Sequence, residues 1–230
     1  MSVTGIVAAL TAEARTLGPA DPHAINTLRD GSLLIVSGMG AQAATRAAAA
    51  LVAAGARNLL SFGLAGALDP ALRAGTMLLP DAVTDDTGAV HRTCAAWRER
   101  LAARAGAGVG PQGGTLLSLE QPLMTSASKS EAWARTHAYA VDLESFAIGS
   151  VAMREQIEFA VARVVVDTAV DNLPPSITLA TDSRGAVHPT RLLSGLLRSP
   201  ADLFALLRLA RRYRAAMASL RHLGRQGLGP

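Results

Sequence analysis

The sequence predicts an α/β fold with a central, largely parallel sheet buried between helices. Short apolar runs alternate with stretches of helical periodicity, the pattern of strand–helix units whose sheet is covered on both faces. The longest β-branched run, Phe159 to Val166, is continuous rather than alternating, as a strand buried on both faces requires. Glycine-bearing segments follow two of the apolar runs, where the backbone must turn or approach a neighbour closely.

In chain order, Thr4 to Ala9 is the first strand and Leu33 to Ser37 the second, which ends at Gly38-Met39-Gly40. A helix pattern follows from Ala41 to about Ala54, and Gly55 stands where a glycine ends a helix. Asn58 to Phe62 is the third strand, running into a turn at Gly63-Leu64-Ala65-Gly66. Thr76 to Leu79 and Thr115 to Ser118 are further strands. Between them, Thr84 to Gly114 carries the weakest ordered signal and reads as a variable loop. Ser128-Lys129-Ser130-Glu131 fits a capping box that starts a helix toward His137. Another helix runs from about Glu144 to Glu155, and the long strand after it stops at Asp167. Pro174 to Thr190 is irregular, and Pro200 to about Leu223 is a helical tail. The tail sets Leu203, Leu206, Leu207, Ala210, Tyr213, Met217 and Leu220 on one stripe, flanked by Arg208, Arg211, Arg212, Arg214 and Arg221. It fits either a helix packed on the core with a solvated basic face, or an interfacial helix with its stripe toward lipid and its arginines toward anionic headgroups. In the second case Leu192 to Leu197 would widen the apolar surface. There is no internal repeat, and residues 1–230 read as one domain, with 200–223 its basic amphipathic tail.

Composition narrows the function. With 50% hydrophobic residues the chain is not a disordered one. A net charge of +4 invites a nucleic-acid reading, but the charge gathers near the C-terminus, and 3% aromatics cannot build a base-stacking platform. No nucleic-acid partner is expected. Cys94 is the single cysteine, which excludes an internal disulfide and a cysteine metal cluster. His23, His91, His137, His188 and His222 show no ligand spacing, so neither metal nor organic cofactor is expected. The chain shows neither a signal-peptide pattern nor a run of ~20 apolar residues. A cytoplasmic protein is expected, with the tail helix as its candidate membrane contact.

In open α/β sheets ligands bind beyond the carboxyl ends of the strands. Glu13 follows the first strand there, Ser37-Gly38-Met39-Gly40 the second, Gly63 to Ala67 the third, and Asp167 the long late strand. Glu144 adds a carboxylate beside a helix start. Each has a plainer explanation. Glu13 could be a solvated first-turn residue, the glycines tight turns, and Glu144 a complement to the helix dipole. Asp167 resists this most, because a carboxylate closing an apolar strand needs a partner or a function.

Taken together and in order, these segments resemble the purine nucleoside phosphorylase and methylthioadenosine/S-adenosylhomocysteine nucleosidase family. The similarity runs through Gly5 to Glu13, Ser37 to Gly40, Gly63 to Ala67, Leu72 to Thr76, Ala140-Val-Asp-Leu-Glu144 and Ala162 to Asp167, and spans about residues 3–172. It is closest to the hopanoid-associated phosphorylase branch, in Ser61 to Leu72, Asp167 to Pro174 and Leu203 to Arg211. The resemblance implies a three-layer nucleoside phosphorylase-like fold, a homodimer, and release of adenine from adenosylhopane, a lipid-linked nucleoside.

It also implies roles. Asp167 would protonate purine N7, which burial favours by keeping the carboxyl neutral. Glu13 would activate water, and Glu144 would hold the ribose hydroxyls. Leu143 takes the place of a methionine that lies against the sugar. Pro122 and Leu123 match the stretch whose backbone recognises the purine. Met39, Gly40, Leu64, Ala65 and Gly66 fall at the strand ends where the nucleoside would lie. Family phosphorylases hold phosphate at positions occupied here by Ser61 and Leu64, which offer no charged cradle. Water is therefore the expected nucleophile. Val166 replaces a serine that precedes the acid in the family, so something else must orient Asp167. A phosphate-dependent phosphorylase and a methylthioadenosine/S-adenosylhomocysteine nucleosidase are the alternative enzymes. A nucleoside-binding protein without activity is the alternative of another class.

Overall fold

The computed structural model describes residues 2–106, 113–172 and 202–230. The irregular stretch from Pro174 to Thr190 and the apolar Leu192 to Leu197 lie outside the described residues, as do the side chains of Leu203 and Leu206.

The strands are β1 (Thr4–Ala8), β2 (Asn26–Thr27), β3 (Leu33–Val36), β4 (Asn58–Ala67), β5 (Met77–Leu78), β6 (Ala82–Thr84), β7 (Val90–Arg92), β8 (Thr115–Ser118), β9 (Ala140–Asp142) and β10 (Glu158–Asp167). The helices are α1 (Thr11–Ala14), α2 (Ala41–Ala53), α3 (Ala95–Ala105), α4 (Ser126–Thr136), α5 (Ser145–Arg154) and α6 (Asp202–Arg225). All the strands join one mixed sheet, in the order β2-β3-β1-β4-β9-β8-β6-β7, with β10 also against β4 and β5 against β10. β1 runs parallel to both β3 and β4, and β4 parallel to β10. The antiparallel pairs are β2–β3, β4–β9, β5–β10 and β6–β7.

Period-two alternation divides the strand residues between two helix layers. Val7, Leu59, Val161 and Val165 join α2 and α5 in one core cluster. Ile6, Leu60, Phe62, Ala160, Ala162 and Val164 pack on the other face against α1, α3 and α6. This is a three-layer α/β fold with a mixed sheet between helices, as the sequence predicts.

Three local expectations are corrected. The Gly63-to-Gly66 turn is part of β4, which continues to Ala67, because β9 and β10 both pair with its far end. Helix α4 begins at Ser126, earlier than expected. Thr125, not Ser128, is its N-cap, and its hydroxyl accepts from the Ser128 amide. The quiet stretch from Thr84 to Gly114 contains β7 and α3, whose buried Trp97 and Leu101 anchor it. On α6, burial increases toward the C-terminus. Ala216, Leu220 and Leu223 are fully buried, Tyr213 and Met217 are half-buried, and Leu207 is 52% exposed. The C-terminal half of α6 is therefore a core element. Among the described residues no helix is long and apolar enough to cross a membrane.

Candidate active site

The parallel strands β1, β3, β4 and β10 deliver their C-terminal ends to one side of the sheet, where a cavity of about 220 Å³ opens. Its walls include Glu13, Met39, Leu64, Ala65, Gly66, Pro122, Leu123, Leu143, Glu144 and Asp167. Of the residues to which the sequence assigns catalytic or nucleoside-binding roles, Gly40 alone does not line it. Its amide instead donates to Glu144 Oε1 at 2.9 Å. The conformation of Gly40, with φ of 94°, suits glycine and turns the chain into α2.

Glu13 is buried in the short helix α1, which excludes the solvated first-turn explanation. Its Oε1 accepts from the Leu64 amide at 2.8 Å and its Oε2 from the Leu10 amide at 2.9 Å. Burial raises its pKa above the ordinary carboxylate range, and the Arg163 cation opposes this. The carboxylate touches β4 because residue 63 is glycine. A Cβ there would lie 2.6 Å from both Glu13 Oε1 and Arg163 Nη1.

Glu144 occupies the N-cap position of α5, but its side chain makes no cap bond. Its Oε1 meets Gly40 and its Oε2 lies 3.3 Å from Arg163 Nη2. Burial pushes its carboxyl up to about 7, against the pull of Arg163.

Arg163, Asp142 and Lys129 are the site residues that sequence reasoning missed. Arg163 is 1% exposed and comes from β10. Its Nη2 pairs with Asp142 Oδ2 at 2.6 Å and donates to Ser61 Oγ at 2.9 Å. Its Nη1 donates to the Leu64 carbonyl at 3.3 Å. Asp142 also accepts from Ser118 Oγ at 2.6 Å and from the amide and hydroxyl of Ser145. One buried guanidinium thus balances several carboxylates beneath the cavity. Ser61 lies fully buried in this network rather than at the cavity surface. An arginine inside a Val-rich strand was the available signal, since a charge buried there requires partners.

Asp167 ends β10. The register between β10 and β4 shifts between Val165 and Asp167, a bulge-like break in the regular pairing next to the carboxylate. Burial raises its pKa and Lys129 opposes that rise. Lys129, on α4 and 1% exposed, ion-pairs with Asp167 Oδ2. The upward push that burial was expected to give is therefore met here by an ammonium lying against the carboxyl, which the sequence did not announce. Among the described residues lining the cavity the cations are Arg163 and Lys129, and each is already paired with a carboxylate.

The chain's sequence matches the pattern of the phosphorylase superfamily over residues 16–198. No curated protein matches it in sequence. Its structure is similar to the native futalosine hydrolase of Helicobacter pylori, at TM-score 0.66 and 16% identity, covering 86% of this chain and 97% of that one. The 5'-methylthioadenosine/S-adenosyl homocysteine nucleosidase of Campylobacter jejuni aligns at TM-score 0.65 and 16% identity, over 85% of this chain and 96% of that one. The corresponding nucleosidase of Neisseria meningitidis, in complex with methylthio-immucillin-A, aligns at TM-score 0.66 and 17% identity, over 86% and 100%.

Proposed function

We propose, from the premise that the chain belongs to the phosphorylase superfamily, that it is a nucleosidase hydrolysing the N-glycosidic bond of an adenine nucleoside. The observation that carries this reading is the convergence of Glu13, Glu144 and Asp167 on one cavity.

Breaking that bond builds positive charge on the sugar and negative charge on the departing base, so the transition state is oxocarbenium-like. Asp167 gives its proton to N7 as the bond breaks, and the bonding pair leaves with the base. Glu13 takes a proton from the attacking water. Its raised pKa brings it nearer the operating range of a general base. Glu144 accepts from the ribose hydroxyls and, braced by Gly40 and Arg163, fixes the sugar for attack. Leu143 and Met39 pack against the sugar, and the backbone of Pro122 and Leu123 meets the purine.

Water rather than phosphate is the nucleophile. The two lining cations are committed to buried carboxylates, and Leu64 offers no hydrogen bond to an anion.

The finer reading is a lipid-linked nucleoside of the adenosylhopane kind. It rests on the sequence similarity in Ser61 to Leu72 and on the apolar walls formed by Leu10, Leu64, Leu123 and Val166, with Met39 39% exposed beside them. Leu207, exposed among Arg208 and Arg211 on the early part of α6, is the described surface that would meet lipid. The test is adenine release from adenosine and from 5′-alkylated adenosines, followed by absorbance, with Asp167→Asn as the blank. Release by the wild type and not by the blank supports the reading, and no release from any of them contradicts it.

A further inference from the structure

A lysine with 1% of its surface exposed requires compensation, because burying an unpaired ammonium is strongly unfavourable. Lys129 is fully compensated. Its three N–H donors meet Asp167 Oδ2, the Thr168 carbonyl at 3.0 Å and the Asp171 carbonyl at 3.1 Å. The acceptors lie at the end of β10 and in the turn that follows, so α4 is tied to that turn through one side chain.

The turn is held from its other side as well. Asp171 Oδ2 accepts from the Thr168 amide at 2.8 Å and the Thr168 hydroxyl at 2.6 Å, and it pairs with Arg212 of α6. Among the described residues, the charged groups around Asp167 are therefore Lys129 from α4, Arg212 from α6 and Asp171 in the turn. β4 places Gly66 opposite it, and a Cβ there would lie 3.3 Å from either carboxylate oxygen.

We infer that Lys129 is the positioning residue of the general acid: its ammonium fixes the Asp167 carboxyl at the end of β10 and stabilises the carboxylate that forms as the proton leaves for the base. The inference rests on the nucleosidase reading above. In the step, the Asp167 O–H bond breaks, the N7–H bond forms, and the C1′–N9 pair goes to the base. Asp167 changes from neutral to anionic against a fixed cation. The attraction is stronger after proton transfer than before it, which is the condition for an interaction to accelerate a step. Burial keeps a neutral population of the acid, and Lys129 makes that acid readier to give its proton. Lys129 thereby supplies the orientation that Val166, lacking a hydroxyl, cannot.

The test uses the full chain and compares wild type, Lys129→Gln, Asp167→Asn and the double variant. Gln keeps amide donors for the two carbonyls and removes the charge. Lys129→Gln should lower kcat at neutral pH by at least ~10-fold with a smaller change in KM. It should also move the basic limb of the kcat profile up by roughly one pH unit, the usual effect of losing an adjacent opposite charge. In the Asp167→Asn background the same substitution should change kcat less than ~2-fold, since coupled residues are not additive. An unshifted basic limb, or an equal loss in both backgrounds, would overturn the inference. A well-folded wild type that released no base would contradict the nucleosidase reading instead. The clamp is then read from the carboxyl 13C titration of Asp167, whose midpoint should rise in Lys129→Gln and whose failure to move would overturn it. The Lys129→Met/Asp167→Asn variant, which removes both charges together, supplies a folded reference if the single variant unfolds.

Discussion

Replacing Arg163 by Met keeps much of the side-chain volume and removes the cation beneath the cavity. Arg163 pairs with Asp142 at 2.6 Å and with Glu144 at 3.3 Å, all three being buried. Removing one member of such a cluster leaves uncompensated buried charge, which costs about 3–5 kcal/mol. For a chain of this size each kcal/mol moves Tm by roughly 2–4 °C, so a fall of roughly 6–20 °C is expected. The fall depends on pH. Burial already holds the Glu144 carboxyl up to about 7 against the pull of Arg163, and without that pull it rises further. A carboxyl whose folded pKa exceeds its unfolded value contributes stability in full below the unfolded pKa. That contribution is lost as pH rises through the folded pKa. The deficit of Arg163→Met should therefore be smaller near pH 5 than near pH 8, because the orphaned carboxyls can take up protons at the lower pH. Thermal unfolding followed by circular dichroism at both pH values measures this. A Tm within roughly 2 °C of wild type near pH 8, or a larger deficit near pH 5, would refute the reasoning.

Asp167→Asn and Glu13→Gln should each lower kcat by at least ~100-fold, and Glu144→Gln should lose affinity as well as rate; wild-type turnover in all three would remove the site assignment. In the wild type, kcat/KM should fall as pH drops below about 7, where Glu144 takes up a proton, and a flat acid side would contradict its anionic role. Gly63→Ala places a Cβ 2.6 Å from Glu13 Oε1 and Arg163 Nη1. It should cost about 1–3 kcal/mol by overpacking and reduce turnover by displacing Glu13, both read from one preparation by unfolding and kinetics. On α6, Leu220→Ala should destabilise by about 2–5 kcal/mol as a core truncation. Anionic liposomes should retain the full chain at low salt and release it at high salt, whereas protein left in the supernatant at low salt would remove the membrane contact from the proposal.

The strand–helix alternation carried most of the fold, because buried parallel strands must be continuous apolar runs and Phe159 to Val166 is one. Elements that depend on distant partners were less legible. β9 is three residues long and is a strand only because β4 and β8 flank it. The extension of β4 through Gly63 to Ala67 looked like a turn, since glycines weaken a strand locally and only the pairing with β9 and β10 reveals it. Helix α3 is hidden in a charged segment whose large buried anchors, Trp97 and Leu101, lie among Arg98, Glu99, Arg100 and Arg104. At the site, the residues near strand ends were visible because the fold class dictates where ligands lie. The network behind them was not. Arg163 and Asp142 are separated by 21 positions and Lys129 from Asp167 by 38, so nothing local links them.

The central claim is that the three carboxylates of this cavity direct water onto an adenine nucleoside. Its most direct test incubates the wild-type chain with an adenosine substrate in phosphate-free buffer and again with phosphate, and identifies the sugar product. The account predicts free adenine and a free reducing pentose, formed at the same rate in both. Release that requires phosphate and yields the pentose 1-phosphate would contradict it.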